Sequence, residues 1–308
     1  MNIIFFGSSE FGIPALKRLL MAHTVRAIVS TPPRPQGRGL KFVGSAISVF
    51  AQKQGFGPII TPDNLNDRNF FDEISHCKAD IFIVIAYRIL PKVLFSLPLL
   101  GTINIHASLL PKYRGPAPIQ RAIEAGEKET GITVFRIDEG VDTGDILLQK
   151  RIRIGSDDTA IDLFSKLSDC GADALIEVLD KLGQGTLHPF QQDNKLASPA
   201  PKLTKEEALI NWRQSALAIY NKIRAFKPFP GTYALLDGKR LGIERAAPLE
   251  IDSPGETGTI VNAEGSFFDV RCLQGTLRVL EVKPEGRRSM SVHDFLLGNK
   301  VPEGTQLT

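Results

Sequence analysis

Through its first 107 residues the chain alternates short, wholly apolar runs with segments of helical apolar spacing, and that alternation limits the folds open to it. "NIIFF" (2–6) ends at Gly7, "FGIPALKRLLMA" (11–22) repeats its apolar residues at helical intervals, and "VRAIVS" (25–30) is a second apolar run. This is a βαβ opening. "AISVFAQKQG", "DIFIVIA" (80–86), a Leu/Pro/Val-rich helix and "TINIHA" (102–107) continue the series. Strands that are apolar along their whole length, with helices between them, predict an α/β fold whose mostly parallel sheet is covered on both faces.

At 308 residues the chain is longer than a usual single domain, so two domains are expected. Residues 189–206, "PFQQDNKLASPAPKLTKE", lose apolar periodicity and gather Pro, Ser, Gln and Asn, as a linker does. The reading is a first domain over 1–188, a linker over 189–206 and a second domain over 207–308. In the second, a helix "SALAIYNKIRAF" (215–226) precedes short strands joined by Asp237-Gly238, Glu264-Gly265 and Gln274-Gly275. Gly turns between short strands predict a small antiparallel β-barrel, of the five-stranded oligonucleotide-binding type.

With 43% hydrophobic and 23% charged residues the chain reads as globular. It has no apolar run of about 20 residues and no signal-peptide pattern, so the expectation is a cytoplasmic protein without a membrane partner. Cys77, Cys170 and Cys272 are too few and too far apart for a disulfide framework or a zinc site. A net charge of +3 permits an anionic partner without demanding one.

Asn104 and His106 lie two apart on the strand "TINIHA" and so project from one face, toward the sheet edge where α/β folds place their ligands. An amide can donate to a carbonyl oxygen as it becomes an oxyanion, and imidazole handles protons near neutral pH. In "DEGVDTGDIL" (138–147), Asp138, Glu139, Asp142 and Asp145 sit among glycines, a pattern that fits a solvated turn, a metal loop or a catalytic carboxylate. EF-hand spacing is lacking and no His-x-x-x-His motif accompanies it. Asp142, between Gly140 and Gly144, is the best presented of the four. The first βα turn, "GSSEFG", lacks the G-x-G-x-x-G fingerprint, and Ser30-Thr31-Pro32-Pro33 offers no acid for a ribose, which counts against a nicotinamide dinucleotide. A Pro/Gly-rich loop, "TPPRPQGRGLKF" (31–42), carries Arg34, Arg38 and Lys41 without an offsetting acid. By composition it is either a solvated loop or an arm that meets phosphates. Lys222 and Arg224, on the helix after the linker, either extend that basic set or form a solvated face.

Taken together, Asn104, His106, "SLLP" (108–111), "YRGPAPIQRAI" (113–123), "GEKETGITVFRIDEGVDTGDIL" (126–147) and "IRAFKPFPG" (223–231) resemble the methionyl-tRNA formyltransferases, the tRNA-acting branch of the folate-dependent formyltransferase family. The resemblance runs in order from residue 1 to about residue 290. It implies a Rossmann-like catalytic domain that uses 10-formyltetrahydrofolate without a metal, then an oligonucleotide-binding barrel that helps hold methionine-charged initiator tRNA, in a monomer. Asn104, His106 and Asp142 match the family's catalytic trio. Tyr87, Arg88, Ile89 and Leu90, with Ser108, Leu109, Leu110 and Pro111, match its folate-binding segments, and Arg34, Arg38 and Lys41 its tRNA-contacting loop, to which Lys222 and Arg224 are expected to add as tRNA-binding residues.

The chemistry implied is attack of the methionyl amine on the formyl carbon. Asn104 and protonated His106 would stabilise the oxyanion, and Asp142 would orient the imidazole and help move the proton. One segment departs from the pattern. "AYRILPK" (86–92) is a residue shorter than in relatives and places Arg88 where they carry Gly, from which position it would reach the folate's glutamate tail. The competing readings are a nucleotide-sugar N-formyltransferase, a formyltetrahydrofolate hydrolase, an RNA-binding module with an inert α/β domain, and an NAD oxidoreductase.

Overall fold

A computed structural model of the chain describes residues 1–36, 41–57 and 59–308. It divides into two compact units, one of Met1–Pro118, Glu129–Arg153 and Phe164–Ala200, the other of Ile119–Lys128, Ile154–Leu163 and Pro201–Thr308.

The first unit opens as the apolar pattern requires, with β1 (Asn2–Gly7), α1 (Ile13–Ala22) and β2 (Thr24–Val29). There follow β3 (Arg34–Gln36), β4 (Lys41–Val43), α2 (Ala46–Lys53), β5 (Ile59–Ile60), α3 (Arg68–His76), β6 (Ile81–Ile85), α4 (Lys92–Phe95) and β7 (Thr102–His106). After α5 (Pro118–Glu124) come β8 (Glu129–Arg136), β9 (Ile146–Arg153) and the long α6 (Ala160–Gly183). The seven-stranded sheet has the order β5-β2-β1-β6-β7-β8-β9. Its pairings are parallel from β5 through β7 and antiparallel for β7–β8 and β8–β9.

Central strands explain why whole runs are apolar: Ile3 to Phe6 are completely buried, and all five residues of β6 are interior, because both faces are covered. Helix starts are set locally. Ser45 accepts from the Ser48 amide at the head of α2, and Asp67 accepts from Asn69 and Phe70 at the head of α3. Strand order reverses between β1 and β6, which opens a crevice at their C-terminal ends, where ligands of open α/β sheets bind. β7, one strand further on, delivers Asn104 and His106 to that same edge.

The second unit contains α7 (Ala216–Ala225), β10 (Tyr233–Leu236), β11 (Lys239–Leu249), β12 (Ile260–Glu264), β13 (Phe267–Arg271), β14 (Thr276–Pro284), β15 (Met290–Ser291) and α8 (Val292–Gly298). The antiparallel order is β10-β11-β14-β13-β12, with β15 added beside β14. Asp237 and Gly238 both have positive φ, 49° and 72°, as a tight two-residue hairpin requires. The chain's last residues bond to both outer strands: Leu235 and Thr308 exchange backbone hydrogen bonds, while the Ile260 amide donates to Thr305 and the Leu307 amide to Gly258. Those bonds satisfy backbone groups that an open sheet would leave to water. Trp212, Ile219, Ile223, Phe268, Leu277 and Val279 form its core.

Candidate active site

The sheet pairing sets two of the candidate residues. Asn104 lies opposite Phe135, and His106 opposite Thr133, in the β7–β8 ladder, so both side chains leave the same face at the strand's C-terminal end. Beyond β7 the chain turns through the cis Leu110-Pro111 bond into "KYRG". That loop returns its backbone to the histidine: His106 Nε2 donates to the Tyr113 carbonyl at 2.8 Å. Since a carbonyl can only accept, Nε2 carries the hydrogen and Nδ1 is the nitrogen left for proton traffic.

Nδ1 faces Asp142, 3.6 Å from its Oδ2, with the two side chains only 7% and 14% exposed. The Gly115 amide donates to the same Oδ2 at 2.9 Å. A charge-assisted bond of this kind contributes about 1.5–3 kcal/mol and fixes where the carboxylate points. Asp142 has φ +55°, a left-handed conformation that Asp tolerates better than most residues. The flanking Gly144 is required for space, since a Cβ there would lie 1.8 Å from the Arg136 carbonyl oxygen. Oδ1 of Asn104 is buried without a hydrogen-bond partner, and the NH2 half of the amide is the half that can donate.

Residues 189–200, read from sequence as part of a linker, belong to the first unit and take part in the site. Gln192 Nε2 donates to the carbonyls of Asp142 and Gly144, and its Oε1 accepts from Arg114. The Ser198 hydroxyl accepts from the Tyr113 amide. Sequence reasoning missed Arg114, Gln192 and Ser198 as site residues: Arg114 lay inside the quoted "YRGPAPIQRAI" run, and the only signal for Gln192 and Ser198 was a run of hydrogen-bonding side chains in a stretch without periodicity.

The segments matched to folate contacts are placed unevenly. Ser108 and Leu110 are interior: the Ser108 hydroxyl donates to the Lys112 carbonyl, and Leu110 packs with Phe135 and Ile146. Leu109 lies against Gly131, and Pro111 is half-buried. Ile89 is 80% exposed, whereas Leu90 is buried. Tyr87 packs against Phe6 and donates to the Ser30 carbonyl, and burial pushes its phenol above the ordinary tyrosine range. Arg88 does not extend freely. Its guanidinium donates to the Pro62 and Asp63 carbonyls and to the Tyr87 hydroxyl, and lies over the Tyr87 ring.

Of the basic positions, Arg34 and Lys41 are exposed on the β3–β4 hairpin, while Arg38 lies outside the described residues. Arg34 borders a cavity of about 700 Å³ at the ends of β1 and β2, with Ser8, Glu10, Thr31, Ser45 and Lys53. Lys222 is half-buried, donates to the Leu209 carbonyl and sits over Phe226, and burial lowers its ammonium below the ordinary lysine range. Arg224, expected from sequence among the tRNA-binding positions, is 6% exposed and turned inward, its guanidinium bonding the Gly155 and Asp158 carbonyls and Asn221. Both terminal nitrogens of this guanidinium already serve protein acceptors, and its Nε is buried without a partner. Among the described residues no group of His, Cys, Asp and Glu has the arrangement to hold a metal ion.

The fold is that of a formyl transferase. The family model described as "Formyl transferase" matches residues 1–179, and "Formyl transferase, C-terminal domain" matches residues 202–300. Among relatives, the methionyl-tRNA formyltransferase of Caldanaerobacter subterraneus is 42% identical, with 100% of each chain covered. That of Acidobacterium capsulatum is 41% identical over 100% of this chain and 99% of its own. The chain belongs to the methionyl-tRNA formyltransferase family. Among solved structures, the N-formyltransferase from Helicobacter canadensis in complex with folinic acid and dTDP-3-aminofucose is similar with a TM-score of 0.68. It is 19% identical, over 90% of this chain and 98% of that one, a likeness of fold.

Proposed function

We propose that the protein transfers the formyl group of 10-formyltetrahydrofolate to the free amino group of methionine esterified to initiator tRNA, preparing it for translation initiation in the cytoplasm. The observation that carries this reading is identity above 40% along the whole chain to methionyl-tRNA formyltransferases. The paired His106 and Asp142 supply chemistry suited to it.

With Nε2–H held by Tyr113, neutral His106 presents its Nδ1 lone pair beside the Asp142 carboxylate, two acceptors 3.6 Å apart. That gap is too long for a direct hydrogen bond and suits a donor placed between them, such as the N–H of the attacking amine. The amine nitrogen bonds to the formyl carbon, the carbonyl oxygen becomes an oxyanion that accepts from the Asn104 NH2, and the amine's proton passes to the His106–Asp142 pair. The bond from the formyl carbon to the folate nitrogen then breaks, and the proton goes to that nitrogen. Formamide and tetrahydrofolate result, with no proton gained or lost overall. Tyr87 to Leu90 and Ser108 to Pro111 follow β6 and β7 at this edge and would line the folate's approach. Arg34 and Lys41, with Arg38 between them in sequence, would meet tRNA phosphates, and the second unit would hold the rest of the tRNA.

The fold likeness to the Helicobacter canadensis enzyme favours one alternative, an amino-sugar nucleotide as acceptor. Transfer of labelled formyl from 10-formyltetrahydrofolate to methionyl initiator tRNA, elongator methionyl-tRNA and dTDP-amino sugar in parallel decides between them. Transfer to the initiator alone is expected; labelling of the sugar alone would overturn the reading.

A further inference from the structure

Gln192 joins the two loops that hold His106 and Asp142 without touching the functional atoms of either. Its Nε2 donates to the Asp142 carbonyl at 2.9 Å and to the Gly144 carbonyl at 2.8 Å. Its Oε1 accepts from Arg114 Nε at 3.2 Å and from a terminal guanidinium nitrogen of Arg114 at 2.7 Å. Carbonyls only accept and guanidinium only donates, so these four contacts admit a single orientation of the amide.

Arg114 is fixed in turn. It donates to Asn194 Oδ1 at 2.8 Å, and its backbone pairs with Ser198 and Ala200. Its two sequence neighbours carry the site's main-chain contacts: the Tyr113 carbonyl receives His106 Nε2, and the Gly115 amide donates to Asp142. Gln192 therefore ties the backbone of Asp142 to the loop that aims both the imidazole and the carboxylate. Asp142 sits at φ +55°, a conformation that a short loop does not hold by preference and that needs support from outside it.

We infer that Gln192 is a positioning residue for formyl transfer, setting the separation of His106 and Asp142 by clamping residues 142–144 to Arg114. The inference rests on the reading of that pair as the proton-handling group. Without the clamp, the Asp142 and Gly144 carbonyls and the guanidinium turn to water, and the loop relaxes. Displacements of about 1 Å at such a site cost roughly a hundredfold in rate.

The test compares the full chain with Gln192→Met, which keeps the side chain's length but none of its polar atoms, and Gln192→Glu, which still accepts from Arg114 but donates nothing to the loop. For both, kcat falls at least tenfold while KM for 10-formyltetrahydrofolate and for methionyl-tRNA stays within twofold of wild type. In parallel, the ring resonances of His106 in histidine-labelled protein shift in both variants toward their positions in Asp142→Asn. A role confined to fold stability would lower the melting temperature and leave kcat and the His106 resonances unchanged, which would overturn the inference. So would wild-type turnover in Gln192→Glu. Because the resonances are read without substrate, a wild-type protein that transferred no formyl group would sink the functional reading while leaving the clamp to be decided by the spectra.

Discussion

The Tyr113 carbonyl and the Asp142 carboxylate divide the His106 ring between them: Nε2–H is spent on Tyr113 at 2.8 Å, and Nδ1 looks across 3.6 Å at Asp142 Oδ2. One contact selects the tautomer, and the other defines where a proton can be taken up.

This division predicts that His106→Ala lowers turnover by roughly two to four orders of magnitude, the usual share of a general acid-base group. Asp142→Asn is the sharper variant, because Asn tolerates left-handed φ and still accepts the Gly115 N–H while losing the charge. Its kcat is expected to fall at least a hundredfold, with a melting temperature close to wild type. Single-turnover kinetics beside thermal unfolding checks both, and near-normal rates in either folded variant would remove that residue from the mechanism.

Exposed and buried arginines are expected to separate cleanly. Arg34→Ala and Lys41→Ala should weaken tRNA binding and reduce the slope of log affinity against log salt by about one each. Arg224→Met instead strands the Gly155 and Asp158 carbonyls and costs about 1–3 kcal/mol for each acceptor left unpaired. The readouts are a salt titration of tRNA binding and a denaturant melt. A large salt-dependent loss of tRNA affinity in folded Arg224→Met would contradict its inward placement.

Arg88 is expected to act on stability before it acts on folate. Its guanidinium already bonds the Pro62 and Asp63 carbonyls. Arg88→Ala should lower the unfolding midpoint and leave KM for 10-formyltetrahydrofolate within about threefold, since the charge-assisted bonds lost are worth roughly 1.5–3 kcal/mol each before water replaces them. A tenfold rise in KM with unchanged stability would instead assign it to the folate tail.

The second unit carries an alkaline limit. Burial and then the hydrogen bond to Asp157 push the Tyr220 phenol up to about 12, and burial pushes the Cys272 thiol up to about 12 as well. In the unfolded chain these groups lose their protons near their ordinary values, about 10 and 8.5. Between those values and the folded ones, the unfolded state holds fewer protons, so stability falls as pH rises. Denaturant melts should show stability intact below about pH 8.5 and declining toward pH 12, with Tyr220→Phe flattening the part above pH 10. An alkaline limb identical in Tyr220→Phe would show that the tyrosine plays no part in it.

The sequence by itself determined the parallel core and the placement of Asn104 and His106. Apolar runs as short and as rich in β-branched and aromatic residues as "NIIFF" and "IFIVI" read as strands covered on both faces, and the period of two along a strand puts residues 104 and 106 on one side. Gly140 and Gly144 marked Asp142 as the carboxylate in a tight turn. Asp237-Gly238 likewise announced a hairpin, because that turn needs positive φ.

Tertiary structure alone decided which basic residues face outward, and what holds the site in shape. Arg224 and Lys222 read as a surface pair on a helix, yet their partners lie 66 residues away at Asp158 and 13 away at Leu209, distances in sequence that carry no local pattern. The same holds for Gln192, whose bonds to Asp142 and Gly144 span 50 and 48 residues. Residues 189–200 lack periodicity because their one regular element is the short 3-10 turn Asn194–Leu196, and they otherwise bind the site through side chains and isolated backbone contacts, which a sequence records only as a polar stretch.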